Sequence, residues 1–597
     1  MLMAVGVLAV WMMHSYSAIP SQELQQQQQQ HLALTGQSAT IPLKESRAIR
    51  GTDTSIKLTI SGKTAGQNYF IPKTSIIPNR IPEASTTYSK NKNRKGNLVG
   101  IALGVDVTTP FQIKQSKQES SRKNLSQKLQ ECTTILKNPT SMNEMIYWDN
   151  YNPMDYQFIG ANPQGNDKYL TFEPDTGGWN SQHIVLESMV VLALSLGRTL
   201  VLPPKQGTSY GTSLSYEDFI DLKSIAKKYE GFKFVTTEVF LKLVAGEGHL
   251  LKEGKADKPP NNQVNWDNTP NIGKLFQYLR DVGQVPFDWD PQTCILGIPF
   301  PDGRGTANIE TTLERIWKRK DGRPPPFHLD FQGKPTPVNA PLVERLREFA
   351  AERKKLCTYD GPLEKSTVLH IPTTSEAKSL IFAPFYAFVF FEDYEHDLLM
   401  KRMVRNEMRY NDDVVCAAGR IVESLRALST GGTFYAFHIR GAAFENAHHD
   451  VHEDALWILN EIRNLIPTNS TVFVSSDEVD PSFFTPLSHQ YSLYFASDFS
   501  NILSDLHPVY LELVQQLVCA RSETFIGTFY SSFSGYINRL RGYYSTKQHL
   551  TGYEDGKLNS YYHSPASMKK EMRIYRSIRT PFYIREWPTA WRDIDRV

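Results

Sequence analysis

Residues 169–204 read YLTFEPDTGGWNSQHIVLESMVVLALSLGRTLVLPP. Tyr169–Phe172 is a short β-rich run, and Pro174 to Asn180 carries turn residues. From Ile184 to Leu196 nearly every side chain is apolar, which predicts a buried helix over Ser181–Leu196, closed by Gly197. Thr199–Leu202 reads as a second strand, stopped by Pro203 and Pro204. Strand, helix and strand at this spacing make one βαβ unit, so the chain belongs to the α/β class with parallel sheets.

The alternation returns downstream. Strands are expected at Val368–Ile371, Thr433–Ile439, Val472–Ser476 and Thr524–Gly527; helices at Asp412–Leu428, Glu453–Leu465, Pro508–Ala520 and Ser532–Tyr543. A chain of 597 residues exceeds one core. Residues 143–400 and 401–597 are read as two α/β domains. The first holds a loop-rich insertion, 252–340, with Pro259-Pro260, Asp302-Gly303-Arg304-Gly305 and Pro324-Pro325-Pro326.

Residues 23–142 read as a low-complexity, disordered basic stem: Gln25–Gln30 is a homopolymer, and only Phe70–Ile77 and Leu98–Val107 suggest strands. Residues 1–140 carry a net +10 and the remainder −8. The overall +2 excludes binding nucleic acid by bulk charge. Met1–Met13 is apolar, and no charge precedes Glu23. It falls short of the about 20 residues of an ideal span, so 1–22 is read as a signal-anchor or a signal peptide cleaved near Ser15 and Ser17. Either sends the chain to the ER or Golgi lumen, as a single-pass type II membrane protein if the segment is kept.

The cysteines (Cys132, Cys294, Cys357, Cys416, Cys519) lack C-x-x-C spacing, which argues against structural zinc. In an oxidising lumen the last four are expected to form two disulfides in one of three pairings, leaving Cys132 over; buried thiols are the alternative. Asn124-Leu-Ser and Asn469-Ser-Thr are glycosylation sequons consistent with that compartment.

Three motifs fall at predicted strand ends, where open parallel sheets bind ligands. They are Phe437-His438-Ile439-Arg440, Ser475-Ser476-Asp477-Glu478, and Gly527-Thr528-Phe529-Tyr530-Ser531-Ser532-Phe533. Arg440 offers a bidentate phosphate clamp, Asp477 an acceptor for a base or ribose, and the Ser531–Phe533 helix start a positive dipole end. Together they describe a nucleotide-diphosphate site with neither a P-loop nor a G-x-G-x-x-G. Ser531 or Ser532 as plain helix caps, and Asp477 as a loop starter, are the competing readings. In the first half, Asn180, His183 and Glu187 stack on one face of the buried helix. They either face a cleft, or cap the helix and pair with a nearby base.

At these residues the sequence resembles the GDP-fucose protein O-fucosyltransferase family. The likeness rests on Gly177-Gly178-Trp179-Asn180, the buried helix, Gly-Arg-Thr-Leu-Val-Leu-Pro-Pro204, His-Ile-Arg440, Ser-Ser-Asp477 and the run from Thr528 to Gly542. It spans roughly residues 150–595. It implies a GT-B-like fold, two Rossmann-like domains facing across a cleft, and inverting transfer of fucose from GDP-fucose to a protein or glycan hydroxyl. No cofactor or metal is implied. By the same resemblance Arg440 would hold the β-phosphate, and His438, Asp477, Thr528, Ser531, Ser532, Phe533, Gly177 and Gly178 would line the donor site. Asn180 would stand at the acceptor–donor junction. The chain has Thr176-Gly177 where some members carry a glutamate as general base, His183 where relatives commonly show arginine, and Gly441-Ala442-Ala443 after the Arg. Asp175, His183 and Glu187 are therefore the candidates for general base, unless leaving-group stabilisation suffices.

Three other readings compete. His448, His449 and His452 suggest a metal hydrolase, without the glutamate of H-E-x-x-H. The altered motifs suggest a degenerate, non-catalytic sugar-binding member. A third keeps the enzyme with another donor sugar or a glycan acceptor.

Overall fold

The computed structural model describes residues 127–595, interrupted by short loops and by 243–268, 373–383, 442–453 and 564–585. The N-terminal apolar segment, the stem up to 126, Phe70–Ile77, Leu98–Val107, Asn124, Gly177 and the His448–His452 cluster lie outside the described residues. Among the described residues, no helix is long and apolar enough to cross a membrane.

The decisive βαβ unit forms as its sequence dictates. The strands are Tyr169–Phe172 and Thr199–Leu202, with a helix over Trp179–Leu196 whose side chains are almost all buried. Gly197 sits at φ 61°, the left-handed region where a side chain would be strained, and Arg198 N–H returns to Ala193 O at 2.9 Å. Asn411 caps the helix Asp412–Leu428 by accepting from Val414 N at 3.0 Å.

Three parallel sheets organise the described residues and bear out the expected α/β class; two of them position the candidate site residues. The first has the spatial order 368–371, 169–172, 199–202, 234–236. The other has five strands in the order 492–495, 471–476, 435–439, 525–528, 560–563. Numbered along the chain, its strands run 3-2-1-4-5, so strand order reverses between Tyr435–Ile439 and Phe525–Thr528. The first sheet reverses between Tyr169–Phe172 and Val368–Ile371. Such reversals open a crevice at the strands' carboxyl ends.

Three expectations are corrected. First, the stem does not extend to 142. Helices Gln127–Ile135 and Pro139–Glu144 pack on Asp412–Leu428, with Leu129, Met142 and Met145 buried. A Cβ at Gly419 would stand only 3.3 Å from Met145, so that glycine makes room for them. Second, Cys132 is not the odd cysteine: it is bonded to Cys416, and Cys294 to Cys357, leaving Cys519 as a buried thiol. Third, the described residues of 252–340 hold more than loop. They supply the helices Thr269–Val282 and Ala307–Lys318 and the strand Cys294–Ile298, which is central in a three-stranded sheet with 355–357 and 389–391. The expected boundary at 400/401 falls inside the helix Tyr394–Glu407.

Candidate donor-binding site

The reversal point of the five-stranded sheet gathers two of the predicted motifs, with the third one strand away. Tyr435–Ile439 ends at His438, Ile439 and Arg440; Phe525–Thr528 ends beside it; Thr471–Ser476 on the other flank delivers Asp477. The helix Ser532–Gln548 begins at the same end. Its first amides have no intrahelical acceptor, and its dipole favours an anion. Gly527 permits this close junction, because a Cβ there would lie 2.6 Å from Ser534 Oγ.

Arg440 is partly exposed and forms an ion pair with Asp477, Nη2 to Oδ2 at 3.2 Å. Asp477 Oδ1 accepts from Gly441 N at 2.7 Å. The carboxylate therefore orients the guanidinium and the chain that follows it. His438 is buried, stacks on Phe533 at 4.4 Å between centroids, and has its Nδ1 2.7 Å from Ser534 Oγ. Burial, with Arg440 and His563 nearby, holds its pKa well below the usual histidine range, so at neutral pH it is an uncharged wall. Ser531 is buried at the helix start and Ser532 half-buried. Thr528 was expected to face the donor. It is buried, with its hydroxyl on the neighbouring strand's backbone.

The first-half cluster is rearranged. Asn180 does not cap its helix; Gly178 does, and Asn180 Oδ1 accepts from Gln516 Nε2 at 2.6 Å. This bond ties the start of the buried helix to Leu511–Ala520 in the second half. Trp179 beside it stacks on Phe219 at 3.8 Å. Glu187 is wholly buried in an ion pair with Arg539, Oε2 to Nη1 at 2.6 Å, and Arg539 Nη2 also lies 3.1 Å from Glu586. Burial raises the Glu187 pKa despite that arginine. His183 is buried against Tyr536 and 3.3 Å from Glu187, and burial followed by the Arg539 charge pushes its pKa to about 3. Enclosed in the core, neither serves as a general base toward a substrate. Asp175, half-buried in the turn after Tyr169–Phe172, keeps that candidacy.

Sequence reasoning passed over several residues. Glu173, Arg280 and His370 meet at the first sheet's reversal: Glu173 Oε1 lies 2.7 Å from Arg280 Nε and 3.1 Å from His370 Nε2. Burial opposes ionisation of Glu173, yet the His370 hydrogen bond and the Arg280 charge keep its pKa below the ordinary value. Glu173 adjoins a predicted strand end, the one signal that was available. Arg198 and Arg541, inside the resemblance motifs, spend their guanidinium groups on backbone carbonyls, including those of Leu363 and Ser522. Gly542 closes its motif because Trp591 lies against it, 2.2 Å from where a Cβ would stand.

The family model described as GDP-fucose protein O-fucosyltransferase matches residues 169–544. Among solved structures, POFUT1 in complex with GDP-fucose is 12% identical, with a TM-score of 0.31, over 67% of this chain and 99% of its own. NodZ alpha-1,6-fucosyltransferase soaked with GDP-fucose is 13% identical, with a TM-score of 0.28, over 62% and 92%. An Arabidopsis thaliana FUT1 variant in complex with GDP is 11% identical, with a TM-score of 0.29, over 73% and 78%. No curated protein matches the chain. Among the described residues, no group of three or more His, Cys, Asp or Glu side chains is placed to hold a metal ion.

Proposed function

The chain belongs to the GDP-fucose protein O-fucosyltransferase family and is a glycosyltransferase, and from that premise we propose that it moves fucose from GDP-fucose to a serine or threonine hydroxyl of a protein, with inversion and without a metal. One observation carries the reading: Arg440 and the helix start Ser531–Phe533 meet at the reversal of strand order in the five-stranded sheet. That is where a diphosphate is best held.

Glycosyl transfer passes through an oxocarbenium-like state, and negative charge grows on the departing GDP. Arg440 neutralises that growing charge, with the helix dipole behind it. A well-placed donor of this kind is worth about 3–4 kcal/mol. Asp477 holds the guanidinium until the diphosphate arrives. Asn180, braced by Gln516, orients the acceptor hydroxyl, and Asp175 takes its proton.

Purified protein titrated calorimetrically with GDP, GDP-fucose, GDP-mannose and UDP-sugars tests the donor assignment. GDP and GDP-fucose should bind, and transfer should persist in excess chelator. Failure to bind GDP would remove the reading. Loss of turnover in EDTA, restored by Mn²⁺ or Zn²⁺, would remove its metal-free part.

The proposed compartment is the secretory lumen, with residues 1–22 as anchor or signal. The Cys132–Cys416 and Cys294–Cys357 disulfides support an oxidising environment. Asn469, exposed at a turn with φ 61°, is available for a glycan. Protease protection in microsomes tests the placement; a cytosolic, unglycosylated product would contradict it.

A further inference from the structure

Thr528 ends its strand and is almost completely buried. Its hydroxyl donates to His438 O at 3.0 Å and accepts from Arg440 N at 3.2 Å. His563 Nε2 lies 3.2 Å from the same hydroxyl and 3.2 Å from His438 O. The bonded pair, His438 and Arg440, flank Ile439, the last residue of the adjacent strand. The ladder between these two strands pairs Ala436 with Phe525 and Phe437 with Ile526, and goes no further. Past that register a single hydroxyl, which can donate once and accept twice, takes over the ladder's task.

We propose that Thr528 is a positioning residue for the transfer reaction: its side chain fixes where Arg440 leaves the sheet, and so aims the guanidinium at the diphosphate. The proposal rests on the donor-site reading above. Threonine is suited to the task because its methyl packs in the buried strand end while its hydroxyl satisfies backbone groups on both sides of Ile439. Valine would keep the shape and remove both hydrogen bonds. A misplacement of the order of 1 Å in a catalytic group can cost about 10²-fold in rate.

The test compares full-length wild type with Thr528→Val and Thr528→Ser. Amide hydrogen exchange of the peptide spanning 438–441 should quicken by about ten-fold or more in the valine variant and stay near wild type in the serine variant. In turnover, Thr528→Val should lower kcat by about 10- to 10²-fold with little change in donor KM, and serine should recover most of it. In an Arg440→Ala background the valine substitution should cost little more, because it acts through Arg440. Unchanged exchange and kcat in Thr528→Val would overturn the proposal. So would a serine variant as impaired as valine, or losses that simply add. If valine prevents folding, Thr528→Ala set against Thr528→Ser makes the same comparison. A wild type that binds no GDP would instead withdraw the donor site, while the exchange data still decide whether Thr528 holds the strand end.

Discussion

All three parallel sheets among the described residues reverse strand order, and the two larger ones treat charge at the reversal differently. In the first sheet, Glu173, Arg280 and His370 close on one another, with Glu173 and His370 fully buried. In the five-stranded sheet, Arg440 and Asp477 pair while both remain partly exposed, beside a helix N-terminus. The guanidinium at each end is paired and similarly exposed, 23% for Arg280 and 19% for Arg440, but at the first end the acid is sealed in the core while at the second Asp477 stays partly open beside a helix N-terminus. There the helix dipole adds to what the guanidinium offers an incoming diphosphate. Topology alone therefore does not make a binding site. What distinguishes the two ends is the burial of the acid and the helix N-terminus that stands beside the second pair.

The comparison can be broken by asking which charged groups cost stability and which cost turnover. The largest expected loss of stability lies between the halves, at Arg539. Its removal leaves Glu187 buried without its cation. Arg539→Ala should cost about 3–5 kcal/mol in denaturant unfolding; a loss below about 1 kcal/mol would show that the pair relaxes.

Next is the brace behind the five-stranded sheet. Removing residues 1–126 should leave melting temperature and donor binding unchanged. Removing 1–142 also deletes Cys132, the helix Gln127–Ile135 and most of the helix Pro139–Glu144. That should cost at least the about 2–4 kcal/mol typical of a disulfide. Equal stability of the two truncations would return the boundary to 142.

At the first sheet's own reversal, Arg280→Ala should cost about 1–3 kcal/mol, since Glu173 loses a charged partner in a buried place. GDP affinity should not change. A large loss of affinity would erase the contrast between the two sheet ends.

The smallest effect is a pH signature. Burial pushes His563 to about 4, against an ordinary value of 6.5. Between those values the unfolded chain takes up a proton that the folded chain refuses, so acidification removes stability. Glutamine does not titrate. The stability gap between wild type and His563→Gln should therefore narrow by about 1 kcal/mol or less from pH 8 to pH 6. A gap that widened would mean that His563 is charged in the fold.

Much of the fold was legible because apolar runs are bounded by turn residues. Tyr169–Phe172, Thr199–Leu202, Val368–Ile371 and Asp412–Leu428 form over the ranges that their patterns predict. The three motifs were also correctly placed at strand ends. Their meeting point was not legible, since strand order is a long-range property. The fate of Glu187 was hidden for the same reason: its partner lies 352 residues away. A polar stripe on a buried helix reads alike whether it faces a cleft or an arginine. The strand Cys294–Ile298 was missed because Pro- and Gly-rich loops around it dominate the composition of 252–340. The Cys132 disulfide escaped because the stem's polar composition continues past the point where packing begins.

The central claim is that Arg440, paired with the partly exposed Asp477 beside a helix N-terminus, meets the diphosphate, and one paired measurement tests it. Melting temperature and fucosyl transfer from GDP-fucose are recorded on the same samples of wild type, Arg440→Ala and Arg440→Lys. The account predicts near-native melting for both variants and kcat lower by about 10²–10³ in alanine. Lysine should recover little, because a point charge cannot make the two-pronged phosphate contact. A folded Arg440→Ala protein with near-normal turnover would contradict the account, and the assigned donor site would fall with it.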